Sequence, residues 1–435
     1  MTSMTSPMRR VTSAAAFGTV LEWYDFFLYG TAAALVFPQL FFPQSDPLTG
    51  TLLSFSVYAT GFVARPLGGF ISGHFGDRVG RRLMLVITLM TMGIGTFAIG
   101  LLPSYDQIGQ LAPILLIALR ILQGLATGGE WGGASLLTLE HARERPGYWG
   151  SFISMAVFLG LVLGTLVFTV MELVLSGEAL LSWGWRVPFL LSIILVGIGI
   201  YIRRKISETP AFIEIEQTGE RERQPLLQAI KKHPRNILAI FFMRIGQNTS
   251  FYIISVFALS YATTALNLPR SVILTALLVG AGGACLTVPL FGHLGDKYGF
   301  RTVMALSLGF QALFAFPLFW MLDTGSAAAI ILAVTIGVAG GAAASDAIQP
   351  AYFTSMFGTN IRYSGVSIGR EGGTIIGGGL SPLIAASLLA WAGGPWPVAL
   401  YMAITSLVGF AAVFAARPIT EEALLAAETS KTPAP

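Results

Sequence analysis

Nine ionisable side chains stand inside stretches that are otherwise apolar: Glu22, Asp25, Arg65, Arg120, Glu130, Arg244, Asp346, Arg370 and Glu371. A charge at the centre of a bilayer costs about 2.5–3.5 kcal/mol on insertion scales, so such residues face a bundle interior or a wet cavity and mark ion or substrate paths. Glu22, Asp25 and Tyr29 are spaced i, i+3, i+7, one face of a helix. Two carboxylates one turn apart in a low dielectric repel when both are ionised, so one retains a proton that it can load and release. The bland alternative is a structural pair neutralised by an arginine from another helix. Glu130 is a second proton site or an inner gate.

The basic partners suggest anion recognition. Arg120, Gln123 and Thr127 share a face near mid-depth of their stretch. Arg244, Gln247, Asn248, Phe251, Tyr252 and Ser255 share another. A fixed guanidinium flanked by amide and phenol groups is a cradle for a carboxylate. On this reading Arg120 and Arg244 hold the anion, while Gln123, Gln247, Asn248, Tyr29 and Tyr252 supply hydrogen bonds. Asp25 and Arg244 stand 219 residues apart. If the chain is duplicated at that spacing, they lie at equal depth in the two halves, and protonation of Asp25 would free Arg244 for the substrate. The alternative is an Arg244–Asp25 bridge with no ligand role. Trp23, Tyr24 and Phe251 could instead cup a quaternary ammonium. Arg370 and Glu371 are adjacent and diverge by about 100° on a helix, so one is expected in the cavity and the other against a neighbouring helix. Arg65 and Arg186 read as structural. Asp346 and Gln349 are secondary candidates, and Gly124, Gly128 and Gly132 read as helix-packing positions.

The elements that position these groups follow from hydropathy. The 435 residues are 54% hydrophobic and 11% charged, whereas soluble domains carry about 25% charged residues. Twelve apolar stretches are long enough to span a membrane, near 14–40, 49–73, 83–102, 111–139, 150–175, 186–204, 236–264, 271–294, 302–322, 326–356, 363–390 and 395–416. Arg9 and Arg10 precede an apolar run too long for a cleaved signal, so the first stretch is read as a retained span. Twenty of the 26 Lys and Arg fall on the side of the termini and the central loop. Positive loops stay cytoplasmic, which places both termini inside. The polar loop 205–235 separates an N-terminal half, 1–204, from a C-terminal half, 236–416, with a tail at 417–435.

Several classes are excluded. There is no Walker A sequence, no His-Glu-x-x-His, no Gly-x-Ser-x-Gly and no dinucleotide fingerprint. The single cysteine, Cys285, and four scattered histidines show no metal spacing. No cofactor, metal or enzymatic activity is expected, and the net charge of +4 is a topology signal rather than a nucleic-acid signal.

The segment Gly73-His-Phe-Gly-Asp-Arg-Val-Gly-Arg-Arg82 returns as Gly292-His-Leu-Gly-Asp-Lys-Tyr-Gly-Phe-Arg301, the mark of a duplicated body. It resembles the signature loop between helices 2 and 3 of the major facilitator superfamily, and its second copy carries Phe300 in place of a basic residue. Glu22-Trp-Tyr-Asp-Phe26, Arg65-Pro-Leu-Gly-Gly69, Gly128-Gly-Glu-Trp-Gly-Gly133, Trp183-Gly-Trp-Arg186 and Glu208-Thr-Pro210 are similar to its metabolite:proton symporter branch. That branch carries shikimate, 2-oxoglutarate, citrate, proline or betaine. Pro113 to Glu140 is most similar to the shikimate permease group, but Arg370-Glu371-Gly372 stands where an uncharged Gly-Tyr-Gln-like sequence is expected.

The resemblance implies an all-α membrane protein of twelve helices in two pseudo-symmetric six-helix bundles, working by alternating access. It further implies a latch on the cytoplasmic face from Gly73, Asp77, Arg78, Gly80, Arg81 and Arg82, echoed by Asp296. The expected function is proton-coupled import of a small organic anion across the inner membrane by a monomer, with H⁺, a small molecule and lipid as partners. The rival is a proline- or betaine-type zwitterion symporter, and more distantly a non-transporting sensor.

Overall fold

The computed structural model describes residues 5–79, 81–127, 130–142, 144–204, 225–358 and 361–418. In a bilayer core every backbone N–H and C=O must be paired within the segment, which leaves the helix as the solution for apolar runs of this length.

The first half runs α1 (Thr5–Leu35), α2 (Pro47–Val79), α3 (Arg81–Leu101), α4 (Leu111–Thr127, resumed as Glu130–His141), α5 (Pro146–Val174) and α6 (Arg186–Arg204). The second half runs α7 (Pro234–Ala265), α8 (Arg270–Tyr298), α9 (Phe300–Asp323), α10 (Ala327–Thr354), α11 (Arg362–Ala392) and α12 (Trp396–Ala415). Among the described residues nine helices are long and apolar enough to cross a membrane, and a pair bent by 46° at Gly184, ending in α6, makes a tenth. With α1 and α3 they complete twelve. Asp46 caps α2, accepting from the Leu48 and Thr49 amides at 3.1 Å, as short acidic side chains do at helix starts.

Irregular turns are more numerous in the second half; the first shows one within its described spans, at Leu180–Gly184 before α6. Wide π-type turns occupy Ile253–Phe257 and Tyr261–Ala265 in α7, Ile336–Ala342 in α10 and Ile375–Leu380 in α11. Such turns are rare and gather at functional sites. Those of the second half fall in the three helices that carry Arg244, Asp346 and Arg370.

Glycines set the tightest approaches. A Cβ on Gly124 would stand 2.1 Å from the Gly61 carbonyl oxygen, so α2 and α4 touch backbone to backbone, as small residues permit in membranes. Between the halves, a Cβ on Gly147 would meet the Gly292 oxygen at 2.5 Å. Beside that contact the Asp296 carboxylate accepts from the Gly147 and Tyr148 amides at 2.7 and 2.8 Å. A carboxylate at the first turn of α5 complements the helix dipole. On the opposite face, Arg270 of α8 lies 3.8 Å from Glu172 of α5 and donates to the Leu35 carbonyl of α1 at 3.4 Å. The halves are therefore tied at both ends.

Candidate functional site

The two halves each bury a guanidinium, but they treat it differently. In the second half Arg244, 2% exposed, is well partnered through two of its nitrogens. Its Nη1 donates to Asp346 Oδ1 at 3.0 Å, Gln247 Oε1 at 2.8 Å and Gln349 Oε1 at 2.7 Å, and its Nε donates to Thr374 Oγ1 at 3.0 Å. Gln349 Nε2 closes the ring onto Gln247 Oε1 at 3.3 Å. The expected bridge between Arg244 and Asp25 is absent: the acid that balances Arg244 is Asp346, on α10 of the same half. Repeat spacing speaks to depth, and depth does not identify the lateral neighbour. Asp346 and Gln349, secondary in the sequence reading, are the principal partners.

In the first half Arg120 is completely buried and sparsely bonded. Nη1 donates to Gln123 Oε1 at 3.2 Å, and Gln123 Nε2 donates to Thr96 at 2.7 Å. Nε and Nη2 have no hydrogen-bond partner among the described residues. The guanidinium instead lies on rings, 4.2 Å from the Phe26 centroid, 4.3 Å from Tyr29 and 5.0 Å from Tyr58. Cation–π contact stabilises a desolvated guanidinium by about 2 kcal/mol or more. It does not replace hydrogen bonds in the ring plane. Asp25 is 5% exposed and makes no ion pair within 4 Å among the described residues; of the buried arginines, the charge of Arg120 is the one it feels. Thr127 turns its hydroxyl back to the Gln123 and Gly124 carbonyls.

A wall of rings separates the two arginines. Phe27 meets Phe251 at 5.6 Å and Tyr252 at 6.2 Å across the halves, and Phe62 meets Tyr252 at 5.5 Å. Tyr58 and Phe62 were missed in the sequence. Their spacing to Arg65, i, i+4, i+7 on α2, was the available signal. Around this wall lie further unmatched polar atoms: Trp23 Nε1, the Tyr29 hydroxyl and both amide atoms of Asn248. Tyr24 does not join them, because its hydroxyl donates to the Pro188 carbonyl at 2.7 Å.

Arg65 pairs with acids on two other helices. Its Nη2 lies 2.9 Å from Glu22 Oε1 and its Nη1 3.8 Å from Glu371 Oε2, and it rests on Phe26 at 4.1 Å. Arg370 and Glu371 do not diverge as expected. The Arg370 guanidinium bonds the Glu371 carboxylate and lies 3.7 Å from the Trp131 centroid. Long side chains bend back over the 100° that separates their Cα–Cβ bonds. Of the expected latch, Asp296 makes the contacts described above. Gly80 and the side chains of Asp77, Arg78, Arg81, Arg82 and Glu130 lie outside the described residues, as does the contact surface of Gly73.

A twelve-helix body with duplicated halves, and charges buried on their facing helices, is the architecture of one transporter family, and its model, Major Facilitator Superfamily, matches residues 15–369. The chain belongs to the major facilitator superfamily. It is 41% identical over 410 residues to the shikimate transporter of Escherichia coli strain K12, covering 93% of each chain. It is 39% identical over 385 residues to an inner membrane metabolite transport protein of the same strain, covering 87% of each. Its fold is similar to that of a D-xylose-proton symporter with a TM-score of 0.73 at 17% identity, over 95% of this chain and 98% of that one. This major facilitator chain is thus a multi-pass membrane transporter rather than an enzyme.

Proposed function

We propose that this transporter is a proton-coupled symporter that imports a small organic anion by alternating access, with Arg120 as the carboxylate receptor and Asp25 as the proton carrier. The observation that carries the reading is the pair of unmatched nitrogens, Nε and Nη2, on the fully buried Arg120. A buried charge without hydrogen bonds is strongly unfavourable, and an arriving carboxylate would satisfy those groups in the geometry that guanidinium prefers. Coupling follows from competition for Arg120. While Asp25 is ionised it balances the arginine; once protonated, it leaves that charge to the substrate. Glu22 stays engaged with Arg65. Gln123, Trp23, Tyr29 and Asn248 supply polar contacts, Tyr252 belongs to the ring wall, and Arg244 with Gln247 serves as a framework for the second half.

The relative named a shikimate transporter supports an anionic substrate, since shikimate is a small carboxylate. The relative named for the inner membrane supports that location, with both termini in the cytoplasm by the basic loops. A monomer suffices, the halves dividing at the 205–235 loop. Neither nucleic acid nor a cofactor has a role.

The test is uptake by purified protein in liposomes under an imposed inward proton gradient, with shikimate, citrate and 2-oxoglutarate as substrates. Accumulation of a carboxylate that collapses with the gradient supports the reading; transport indifferent to the gradient defeats it. A zwitterion substrate keeps one observation in its favour, the ring wall of Phe27, Phe251 and Tyr252 beside Asn248, where a quaternary ammonium would sit. Competition by betaine stronger than by any carboxylate would select it.

A further inference from the structure

We propose that Arg370 and Glu371 form a two-pronged clasp that closes the path on the face carrying the termini, and that releasing this clasp is what opens that face. The inference rests on family membership and on geometry, not on the proton-coupled reading.

Four charges of alternating sign run through the seam between the halves: Glu22 on α1, Arg65 on α2, then Glu371 and Arg370 on α11. Glu22 and Arg65 are 2.9 Å apart, Arg65 and Glu371 3.8 Å apart, and Glu371 contacts Arg370. The line ends on Trp131 of the first half, whose ring lies 3.7 Å below the Arg370 guanidinium. Two neighbouring residues of α11 thus grip the first half at two separate points, one on α2 and one on the second part of α4. Arg65, Arg370 and Glu22 are each 2% exposed and the Glu371 side chain 15%.

The position of the clasp gives it consequence. Glu371 stands nine residues into α11 from Arg362, roughly 13 Å at 1.5 Å per residue, so it sits within the membrane rather than at the rim. One turn nearer the termini, Gly132 of the first half packs against Ser367 of α11. Separating the halves on that face exposes the Gly132–Ser367 seam, and this cannot happen while α11 holds both Arg65 and Trp131. Charge pairing in so dry a seam is strong, and it is replaced by hydration once the halves part, which makes the clasp a two-position device. The same pair is what sets this helix apart in sequence, since an uncharged stretch was expected there. Among the described residues the carboxylates within 4 Å of Arg65 are those of Glu22 and Glu371.

The experiment needs no substrate and no proton gradient. Ser367→Cys is introduced in a Cys285→Ser background, and the labelling rate by a membrane-impermeant maleimide is measured from the face carrying the termini. Glu371→Gln and Arg370→Gln should each raise that rate by about fivefold or more, the range of ordinary conformational coupling. Arg370→Lys, which keeps the charge but stacks less well on tryptophan, should give a smaller rise. Glu172→Gln, on the opposite face, should leave it unchanged. If Glu371→Gln does not fold, Glu371→Asp, which shortens the reach to Arg65, decides by the same readout. Unchanged labelling in the folded Glu371 variant, or an equal rise with Glu172→Gln, overturns the clasp. Because the readout is accessibility, that failure is distinguishable from a failure of anion transport.

Discussion

The environments of Arg120 and Arg244 differ more than the helices that carry them. Both guanidiniums are buried near the middle of a long helix. Arg244 has an acid, two amides and a hydroxyl around it; Arg120 has one amide and three ring faces. A well-partnered cation has less to offer a ligand, and its removal leaves stranded partners. An unsaturated one is a standing strain on the fold that a ligand can relieve. The repeat spacing pairs Arg244 with Asp25 rather than with Arg120, so the two arginines arose at different positions of the two halves.

The comparison can be broken in four places. Asp25→Asn should have the largest effect on function: concentrative uptake is lost altogether, while substrate exchange in liposomes continues, because Arg120 is then permanently available. Accumulation at the normal level in that variant would remove Asp25 from the coupling. Asp346→Asn should chiefly affect folding, costing about 3–5 kcal/mol as breaking a buried pair does. Thermal unfolding in detergent would report it, and the double change Arg244→Met with Asp346→Leu should recover most of the loss. If Asp346→Asn is as stable as the parent, Arg244 is not a framework residue.

Arg120→Lys should reduce uptake about 100-fold, since an ammonium offers neither the planar fork nor the same stacking, with little change in the thermal midpoint. A drop in stability without a drop in uptake would reverse the assignments of the two arginines. Tyr24→Phe removes only the hydrogen bond to the Pro188 carbonyl and should cost about 1 kcal/mol. Substrate preference should be unaltered, and a change in it would restore Tyr24 to the site.

Much of the fold could be read from hydropathy, because the membrane imposes it. The expected 302–322 is Phe300–Asp323, and 186–204 is Arg186–Arg204. The larger misses fall where helices continue past the apolar layer. α1 begins at Thr5 rather than near 14, and α2 runs to Val79 rather than 73, carrying part of the charged repeat with it. Hydropathy detects the bilayer, while the hydrogen-bond ladder continues into water. The site was only half legible. Buried charges announced themselves, but pairing is a matter of helix neighbours. Hence Asp346 was undervalued, the partners of Arg65 were not named, and the convergence of Arg370 with Glu371 was not foreseen.

Where α5 crosses α8 at Gly147 and Gly292, main chain presses on main chain with no side chain between. Rotamers are how packed surfaces normally absorb small displacements, and the two glycines have none to adjust. The crossing therefore behaves as a hard stop rather than a cushion. It gives the closed pose a sharply fixed end point, so the molecule arrives at the same shape on every turnover.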